Sequence, residues 1–212
     1  MYKRFGKRTL DIVLALGILI FTLPITLVIA LAIKLESKGP ALFTQKRTGI
    51  NGKNFNLKKF RSMTIDNDVR DLSKGNQLTK MGKFLRSTSL DEIPQCLNIL
   101  TGDMSFIGPR PWITEYYKHM NEQQRHRVDV RPGITGLAQA RGRNSLTINA
   151  KINYDLEYVR DFSFKEDIKI IFLTVKAVFE KEEDTIDKYG IEGELAVLRN
   201  QDSEGLSSEG AY

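Results

Sequence analysis

A run of 22 residues without a charged side chain, Ile12–Ile33, constrains this chain more than any other feature. As a helix rising about 1.5 Å per residue, it is long enough to cross a hydrocarbon core of roughly 30 Å. A buried helix of a globular protein is seldom so long and so apolar. Ala30-Leu31-Ala32 resembles a signal-peptide cleavage site, but signal peptides have apolar regions of only about 7–15 residues, and Pro24 interrupts this one. The sequence therefore predicts a retained membrane segment.

The charges on either side of this segment bear on its topology. The flanking basic residues are Lys3, Arg4, Lys7 and Arg8 before it, and Lys34, Lys38, Lys46 and Arg47 after it. Because lysine and arginine favour the cytoplasmic side, both flanks are expected there. A re-entrant helix that bends at Pro24 satisfies both flanks, and the hydroxyls of Thr22 or Thr26 would bond the backbone groups that the bend frees. A kinked spanning helix is the alternative that hydropathy alone favours.

Charge is distributed unevenly along the chain. Residues 181–212 carry 3 basic and 9 acidic side chains, a net charge of −6, whereas residues 1–180 carry +12. A basic body favours an anionic partner such as nucleic acid, lipid headgroups or a phosphorylated substrate. The acidic tail, residues 182–212, is expected to be mobile.

The chain offers few ligands for a transition metal. Its single cysteine, Cys96, excludes an internal disulfide and a cysteine-based zinc site, and is expected to be a buried structural thiol. His119 and His126 lie seven positions apart in a polar stretch, residues 113–127, that is predicted to be helical. Since no clustered partner accompanies them, they are interpreted as surface or structural residues.

Two amphipathic patterns predict further elements. Short runs at about 41–47 and 54–60 flank Asn51-Gly52 and predict a β-hairpin. Its basic side chains, Lys46, Arg47, Lys58, Lys59 and Arg61, are either phosphate ligands or a headgroup-facing surface. Residues 164–181 carry one apolar face at helical spacing, formed by Phe164, Ile168, Ile171, Phe172, Val175, Val178 and Phe179. That pattern fits a core helix or an interfacial helix in the membrane plane.

The candidate active site is an adjacent carboxylate pair, Asp91-Glu92. Because proline is tolerated in a first helical turn, Pro94 allows Ser89 or Asp91 to cap a helix that runs to about Ile99. The unpaired donors and dipole of a helix N-terminus suit a carboxylate or a phosphate. Neighbouring helical positions would let both carboxylates reach one metal or substrate. An ordinary helix cap is the alternative.

Arginines accompany this pair. Arg86 lies five positions before Asp91, and Gly108-Pro109-Arg110-Pro111 predicts a stiff turn that presents one guanidinium. A bidentate contact with phosphate or carboxylate is expected there, with a structural salt bridge as the alternative. Loops 131–136 and 141–144, rich in glycine and arginine, would also allow close approach to an anion.

Six motifs give the chain a specific resemblance. They are KRTLD (7–11), QKRTG (45–49), KFRSM (59–63), SLDEIPQ (89–95), GDMSFIGPRP (102–111) and RPGITG (131–136). In this order and spacing, from about Lys7 to Phe179, the chain resembles the small monotopic bacterial phosphoglycosyl transferases, the bacterial sugar transferase family. These enzymes are polyprenol-phosphate sugar-1-phosphate transferases.

The resemblance implies a helix-rich α+β fold. Residues 1–36 would form a re-entrant membrane helix, and residues 37–181 a small catalytic domain with a β-hairpin and interfacial amphipathic helices. The enzyme would be a monotopic protein of the bacterial cytoplasmic (inner) membrane, facing the cytosol. It would move a sugar-1-phosphate from a UDP-sugar to polyprenol (undecaprenyl) phosphate and release UMP, as the first membrane step of polysaccharide or other glycoconjugate assembly. A homodimer is compatible with this interpretation.

The resemblance also assigns roles to individual residues. Asp91 and Glu92 match the catalytic dyad, in which the aspartate forms a phosphosugar–enzyme intermediate and Mg²⁺ is required. Glu92 is expected to bind the metal or to help the acceptor phosphate. The chemistry agrees, because a carboxylate ionised near pH 7 needs no base and Mg²⁺ prefers carboxylate and phosphate oxygens. The predicted substrate-binding residues are Arg86, Arg110 with its neighbours Pro109 and Pro111, Lys59, Arg61 and Arg143.

Three positions depart from the family pattern. Leu23 replaces a common serine before Pro24, Trp112 follows the Pro-Arg-Pro turn where aliphatic residues are common, and Ile148-Asn149-Ala150 lacks a frequent tryptophan. These differences leave the chemistry intact but weaken any transfer of sugar specificity.

Three rival functions explain less of the sequence. A non-enzymatic membrane scaffold leaves the acid-bearing stretch 87–111 unexplained. A nucleic-acid binder is disfavoured, because the basic residues lack interleaved aromatic side chains. A nuclease-like metal site would also combine acids with Mg²⁺, so only its product distinguishes it.

Overall fold

The computed structural model describes residues 2–64, 78–142, 145–179 and 190–209. Its helices are α1 Lys7–Glu36, α2 Lys80–Thr88, α3 Gln95–Thr101, α4 Thr114–Lys118, α5 Glu122–Arg125, α6 Leu137–Gly142, α7 Ile148–Asp161, α8 Phe164–Phe179 and α9 Gly190–Glu209. Its strands are β1 Leu42–Thr48, β2 Asn54–Phe60, β3 Ser105–Ile107 and β4 Gly133–Thr135. A π-helical turn lies at Tyr2–Gly6, and 3₁₀ turns lie at Ile50–Gly52, Leu90–Glu92 and His126–Val128. The predicted helix-rich α+β class is confirmed.

The strands form two small sheets. β1 and β2 pair as the predicted hairpin, and its tip places Asn51 (φ 54°) and Gly52 (φ 74°) in the left-handed region. Asparagine and glycine are the residues that tolerate that conformation best. β3 and β4 pair in parallel, with Ser105 opposite Gly133. Strands of three residues leave no periodic pattern, and the sequence did not predict this second sheet.

Within the described part of the chain, α1 is the one helix long and apolar enough to cross a membrane. Only 11% of its most apolar window is buried. The exposed fractions of Ile20 and Phe21 reach 72% and 92%. Apolar side chains exposed on this scale favour a lipid environment over water.

The helix continues through Pro24, so the predicted break there stays a prediction. The hydroxyl of Thr22 donates to the carbonyl of Ile18 at 2.7 Å, and that of Thr26 donates to Leu23 at 2.8 Å. Both hydroxyls are thus satisfied within the helix, on either side of the proline.

Contacts divide the chain into two compact units. The dyad unit comprises residues 9–45 and 56–102 and contains Asp91-Glu92. The turn unit comprises residues 1–8, 46–55 and 103–212 and contains the turn Pro109–Pro111. Each unit has its own core.

The core of the dyad unit joins the membrane helix to the candidate site. Its buried members are Ile29, Ile33, Phe60 and Leu85, and Ala30, Ala41, Met81, Leu90 and Ile93 pack against them. The C-terminal half of α1 therefore packs against the end of β2, α2 and the turn that carries Asp91.

The turn unit has two clusters of buried residues. One contains Ile107, Leu137, Ala140, Tyr158 and Ile170, and the other contains Tyr116, Met120, Ile148, Ile152, Leu195 and Leu198. The second cluster includes two leucines of α9, a helix within the predicted acidic tail; the mobility of that tail stays a prediction. Leu195 and Leu198 are buried, and Glu194 accepts hydrogen bonds from Tyr116 and Lys151 at 2.7 Å each. Leu195 and Leu198 lie three positions apart on one side of α9, so this helix docks through a few apolar side chains and not through a continuous apolar face.

The apolar face predicted for residues 164–181 is exposed in α8. Phe164, Ile168, Ile171, Phe172 and Val175 are between 37% and 71% exposed. The opposite side of the helix packs inward through Asp167 and Ile170, which are at most 2% exposed. The lysines of α8, Lys165, Lys169 and Lys176, are exposed as well. The exposed face is the one an interfacial helix needs, and the core alternative does not account for it.

The polar stretch 113–127 is not one helix. α4 ends at Lys118, and α5 starts again at Glu122 behind a capping box formed by Asn121 and Gln124. A strong capping residue in mid-stretch is the physical reason for the break. His126 lies on the surface, with Nδ1 2.8 Å from the Asp129 carboxylate.

Candidate active site

Asp91-Glu92 lies in a 3₁₀ turn, Leu90–Glu92, and not in the first turn of a helix. Ser89 ends α2 with a left-handed backbone (φ 56°, ψ 16°), and its side chain makes no capping bond. α3 begins only at Gln95, directly after Pro94. The predicted helix capped by Ser89 or Asp91 is therefore wrong, because Ser89 has a left-handed backbone and the α-helix begins only after Pro94.

Strain and burial coincide at this turn. A left-handed backbone costs a non-glycine residue about 1–2 kcal/mol, so Ser89 must be held there by its surroundings. Its backbone N–H donates to the carbonyls of Arg86 and Leu85, which satisfies the end of α2. Asp91 is 7% exposed and Glu92 is half-buried. A strained backbone beside a buried carboxylate is typical of a functional site.

Arg86 is exposed on α2, and one nitrogen of its guanidinium is held by a hydrogen bond. Its Nε donates to Oγ of Ser62 at 3.0 Å, and Ser62 is 4% exposed. α2 itself is held at its start, because the Glu36 carboxylate accepts hydrogen bonds from the backbone N–H groups of Lys80 and Met81 at 2.6 and 3.0 Å. Arg86 as a whole is exposed, which suits the predicted phosphate contact; that contact stays a prediction.

Gly82 sets the distance between α2 and Ser62. A Cβ at this position would stand 1.9 Å from the carbonyl oxygen of Ser62. Gly82→Ala is expected to lower the free energy of unfolding by about 3 kcal/mol, since two backbone segments must separate. The midpoint of thermal unfolding in detergent measures this effect.

Gly17→Ala is the matched control. Gly17 lies in α1, and a Cβ there would meet nothing within 4 Å. Because alanine is the better helix former by about 1 kcal/mol, this variant is expected to be neutral or slightly more stable. Equal unfolding midpoints for Gly82→Ala and the native protein would contradict the packing described here.

Arg61 and Lys59 have different surroundings. The Arg61 side chain is 5% exposed, and its two terminal nitrogens donate to the backbone carbonyls of Ser37 and Lys38. These bonds hold the chain where it leaves α1 and give Arg61 a structural role. The predicted substrate contact of Arg61 stays a prediction. Lys59 is half-buried, with Nζ 5.8 Å from the centre of the Phe43 ring. Arg143, also predicted to bind substrate, lies outside the described residues.

Asp91 and Glu92 are also the candidate ligands for Mg²⁺. Across the described ranges, no group of three or more histidine, cysteine or acidic side chains is placed to hold a metal. Mg²⁺ is commonly held by one or two carboxylates, with waters and substrate phosphates completing its shell. The carboxylate pair fits that mode and does not fit a closed four-ligand zinc site.

The predicted stiff turn is present in the turn unit. Pro109 and Pro111 are buried, whereas Arg110 between them is exposed. The N–H of Gly133 donates to the carbonyl of Pro109 at 3.0 Å. A Cβ at Gly133 would lie 2.2 Å from the backbone nitrogen of Gly108, so this close contact of two backbones requires glycine.

Arg47 approaches the same turn from β1. Its Nη1 donates to the carbonyl of Pro111 at 3.2 Å. Burial, followed by the like charge of Arg110, lowers the pKa of Arg47 to about 10, while Tyr116 acts in the opposite direction. Arg47 is still charged at neutral pH. Two neighbouring cations favour the binding of an anion such as phosphate.

Cys96 is a buried thiol, as predicted. It is 2% exposed, and burial raises its pKa. The thiolate, which is the reactive form, is therefore scarce at neutral pH, and Cys96 has no part in the candidate chemistry.

Sequence reasoning missed two side chains near the candidate residues. Ser62, which holds Arg86, was noted only as part of a motif. Arg127 was given no role, yet it is buried and donates to the carbonyl of Arg110 at 2.8 Å. Its ionic partner, Asp155, lies 28 positions away on α7, and a pairing at that separation leaves no periodic or local signal.

Comparisons with known proteins identify the family of this chain. A profile of the family described as bacterial sugar transferase matches residues 2–181. A UDP-glucose:undecaprenyl-phosphate glucose-1-phosphate transferase of Escherichia coli (strain K12) is 45% identical over 185 residues, covering 82% of this chain and 40% of the relative. The transferase of the same name from Klebsiella pneumoniae is 48% identical over 181 residues, covering 80% and 39%.

A third relative is closer to this chain in length. An uncharacterized sugar transferase of Bacillus subtilis (strain 168) is 43% identical over 182 residues, covering 83% of this chain and 88% of the relative. The chain thus spans about two fifths of the length of the first two relatives and nearly nine tenths of the third.

Proposed function

Because this chain belongs to the bacterial sugar transferase family, we propose that it transfers a sugar-1-phosphate from a UDP-sugar to polyprenol phosphate and releases UMP. The observation that carries the proposal is the buried carboxylate of Asp91 beside Glu92, in the motif where the family resemblance places its catalytic dyad. The names of two relatives, which specify UDP-glucose and undecaprenyl phosphate, support the same donor and acceptor classes.

Asp91 is the proposed nucleophile. Its carboxylate oxygen attacks the sugar-linked phosphorus, a new O–P bond forms, and the bond from that phosphorus to the bridging oxygen breaks as UMP leaves. An oxygen of polyprenol phosphate then attacks the same phosphorus, releases the Asp91 carboxylate and forms the polyprenol diphosphate sugar. No proton has to be removed from a carboxylate or phosphate that is already ionised at neutral pH.

The other site residues bind and orient charge. Arg86 and Arg110 present exposed guanidinium groups for phosphate oxygens. Glu92 binds the metal or orients the acceptor phosphate. Asp91 and Glu92 would hold Mg²⁺, which would neutralise charge on the phosphates.

The membrane helix and the exposed face of α8 fit a lipid-linked acceptor. An enzyme whose acceptor is a polyprenol must work at a membrane surface. The exposed apolar side chains of α1 and those of α8 each suit contact with lipid. We place the protein at the bacterial cytoplasmic membrane, with its catalytic part in the cytosol, at the first membrane step of glycoconjugate assembly.

Product identity tests the proposal. Purified protein with Mg²⁺, polyprenol phosphate and a panel of UDP-sugars beginning with UDP-glucose is expected to release UMP with one or a few donors. Chelation by EDTA is expected to stop the reaction, and excess Mg²⁺ to restore it. Release of UDP would instead indicate ordinary glycosyl transfer, and no nucleotide from folded protein across a broad panel would contradict the proposed activity.

A further inference from the structure

The turn unit contains a buried ion pair that the proposed chemistry does not use. Arg127 and Asp155 are each 2% exposed. Nε and Nη2 of Arg127 donate to the same oxygen, Oδ2 of Asp155, at 3.0 and 2.6 Å. A buried ion pair is an inefficient source of stability, because the loss of hydration offsets most of the attraction. The other contacts of Arg127 therefore indicate the role of this ion pair.

Those contacts all lead to the Pro-Arg-Pro turn. Nη2 of Arg127 also donates to the carbonyl of Arg110 at 2.8 Å. The guanidinium carbon lies 3.9 Å from the centre of the Trp112 ring, directly after the turn. The guanidinium of Arg127 thus donates to the backbone of Arg110, packs on the Trp112 ring and pairs with the carboxylate of Asp155.

The backbone of the turn is fixed at four consecutive carbonyls. Besides the bond from Arg127 to Arg110, the donors are Gly133 N–H to Pro109 at 3.0 Å, Arg47 Nη1 to Pro111 at 3.2 Å and Thr48 N–H to Trp112 at 3.0 Å. The side chain of Arg110 nevertheless faces solvent. A clamped backbone with an exposed guanidinium is a pre-organised way to present a charge to a ligand.

We propose that Arg127 is a positioning residue that holds Arg110 in the geometry that binds the phosphates of the UDP-sugar. This inference rests on the proposed function. Arg127 is too buried to touch a substrate itself, so it acts through Arg110. Lysine cannot replace it fully, because an ammonium group cannot bond Asp155 and the Arg110 carbonyl in the same plane while stacking on Trp112.

Steady-state kinetics of Arg127→Met and Arg127→Lys test this role. A displaced Arg110 is expected to raise KM for the UDP-sugar about tenfold or more in Arg127→Met, and less in Arg127→Lys. The kcat is expected to change less than KM, and KM for polyprenol phosphate is expected to stay the same. A loss confined to kcat would overturn the inference.

A double-mutant cycle separates positioning from general stability. In an Arg110→Met background, Arg127→Met is expected to lower kcat/KM for the UDP-sugar by less than about twofold, since the residue it positions is already gone. Equal losses in both backgrounds would overturn the inference. Arg127→Lys keeps a cation opposite Asp155, so the test remains available if the methionine variant does not fold.

Arg160→Met is the matched control. Arg160 lies on α7 with 74% of its side chain exposed and forms a surface pair with Asp161, so its loss is expected to leave KM and kcat unchanged. Hydrogen exchange on unliganded protein adds a readout that needs no activity. In Arg127→Lys, the amides of Gly133 and Thr48, which bond the turn, are expected to exchange faster than in the native protein.

The two proposals fail in different ways. If the native protein releases no UMP, the proposed function falls, and with it the assignment of a nucleotide to this turn, whatever hydrogen exchange shows. If the native protein is active but Arg127→Lys leaves both KM and amide exchange unchanged, only the positioning role of Arg127 falls.

Discussion

Asp91→Asn is expected to abolish sugar-phosphate transfer, lowering kcat by at least about a thousandfold, because an amide of the same shape cannot act as the nucleophile. Asp91 is 7% exposed and sits in a turn held between α2 and α3, so asparagine should fit without moving the backbone. UMP release from the UDP-sugar measures the effect. The native protein, incubated with donor alone, should also gain the mass of one phosphosugar, and Asp91→Asn should not.

Asp161→Asn serves as the control for the loss of one carboxylate. Asp161 ends α7, its side chain is 58% exposed, and its pair with Arg160 lies on the surface. Such pairs contribute roughly 0–1 kcal/mol, so activity and unfolding midpoint are expected to stay near native values. Near-native turnover by Asp91→Asn would remove Asp91 as the nucleophile and leave Glu92 as the remaining carboxylate to test.

The features that sequence predicted best are those set by local chemistry. Asn51-Gly52 fixes the hairpin because few residues adopt its left-handed backbone. Two prolines fix the turn around Arg110 in the same way, since each limits the backbone locally. The apolar run of α1 is recognisable because its length and lack of charge have few alternatives in folded proteins.

The features that sequence missed depend on contacts between distant segments. The sequence does not show that the terminal nitrogens of Arg61 donate to two carbonyls at the end of α1. Arg127 lies in a polar stretch, and only the fold brings Asp155 to it. The sequence of α9 resembles an acidic tail, because Leu195 and Leu198 stabilise the helix only when they pack against α4 and α7. In each case the contact joins segments that are distant in sequence, so no local sequence pattern predicts it.

Both ends of α1 are held by polar contacts that bear on its topology. Lys7 Nζ donates to the buried Asp167 carboxylate at 2.6 Å, and the Glu36 carboxylate accepts from the N–H groups of Lys80 and Met81. Among the described residues, no helix other than α1 has the length and composition to cross a membrane. Each end of α1 is thus anchored to a folded part of the chain. A re-entrant path stays a prediction, and it is the path that the basic residues on both flanks favour.

Single-cysteine labelling in sealed vesicles is therefore expected to place both flanks of α1 on one side. Lys3→Cys and Lys38→Cys substitute exposed positions before and after the helix, and Lys118→Cys on α4 marks the side of the catalytic part. With an impermeant maleimide, all three cysteines should react to the same extent, either fully or only after the vesicles are opened. Native Cys96 adds little background, because it is buried and burial raises its pKa. Opposite accessibility of Lys3→Cys and Lys38→Cys would establish a spanning helix and overturn the predicted re-entrant bend at Pro24.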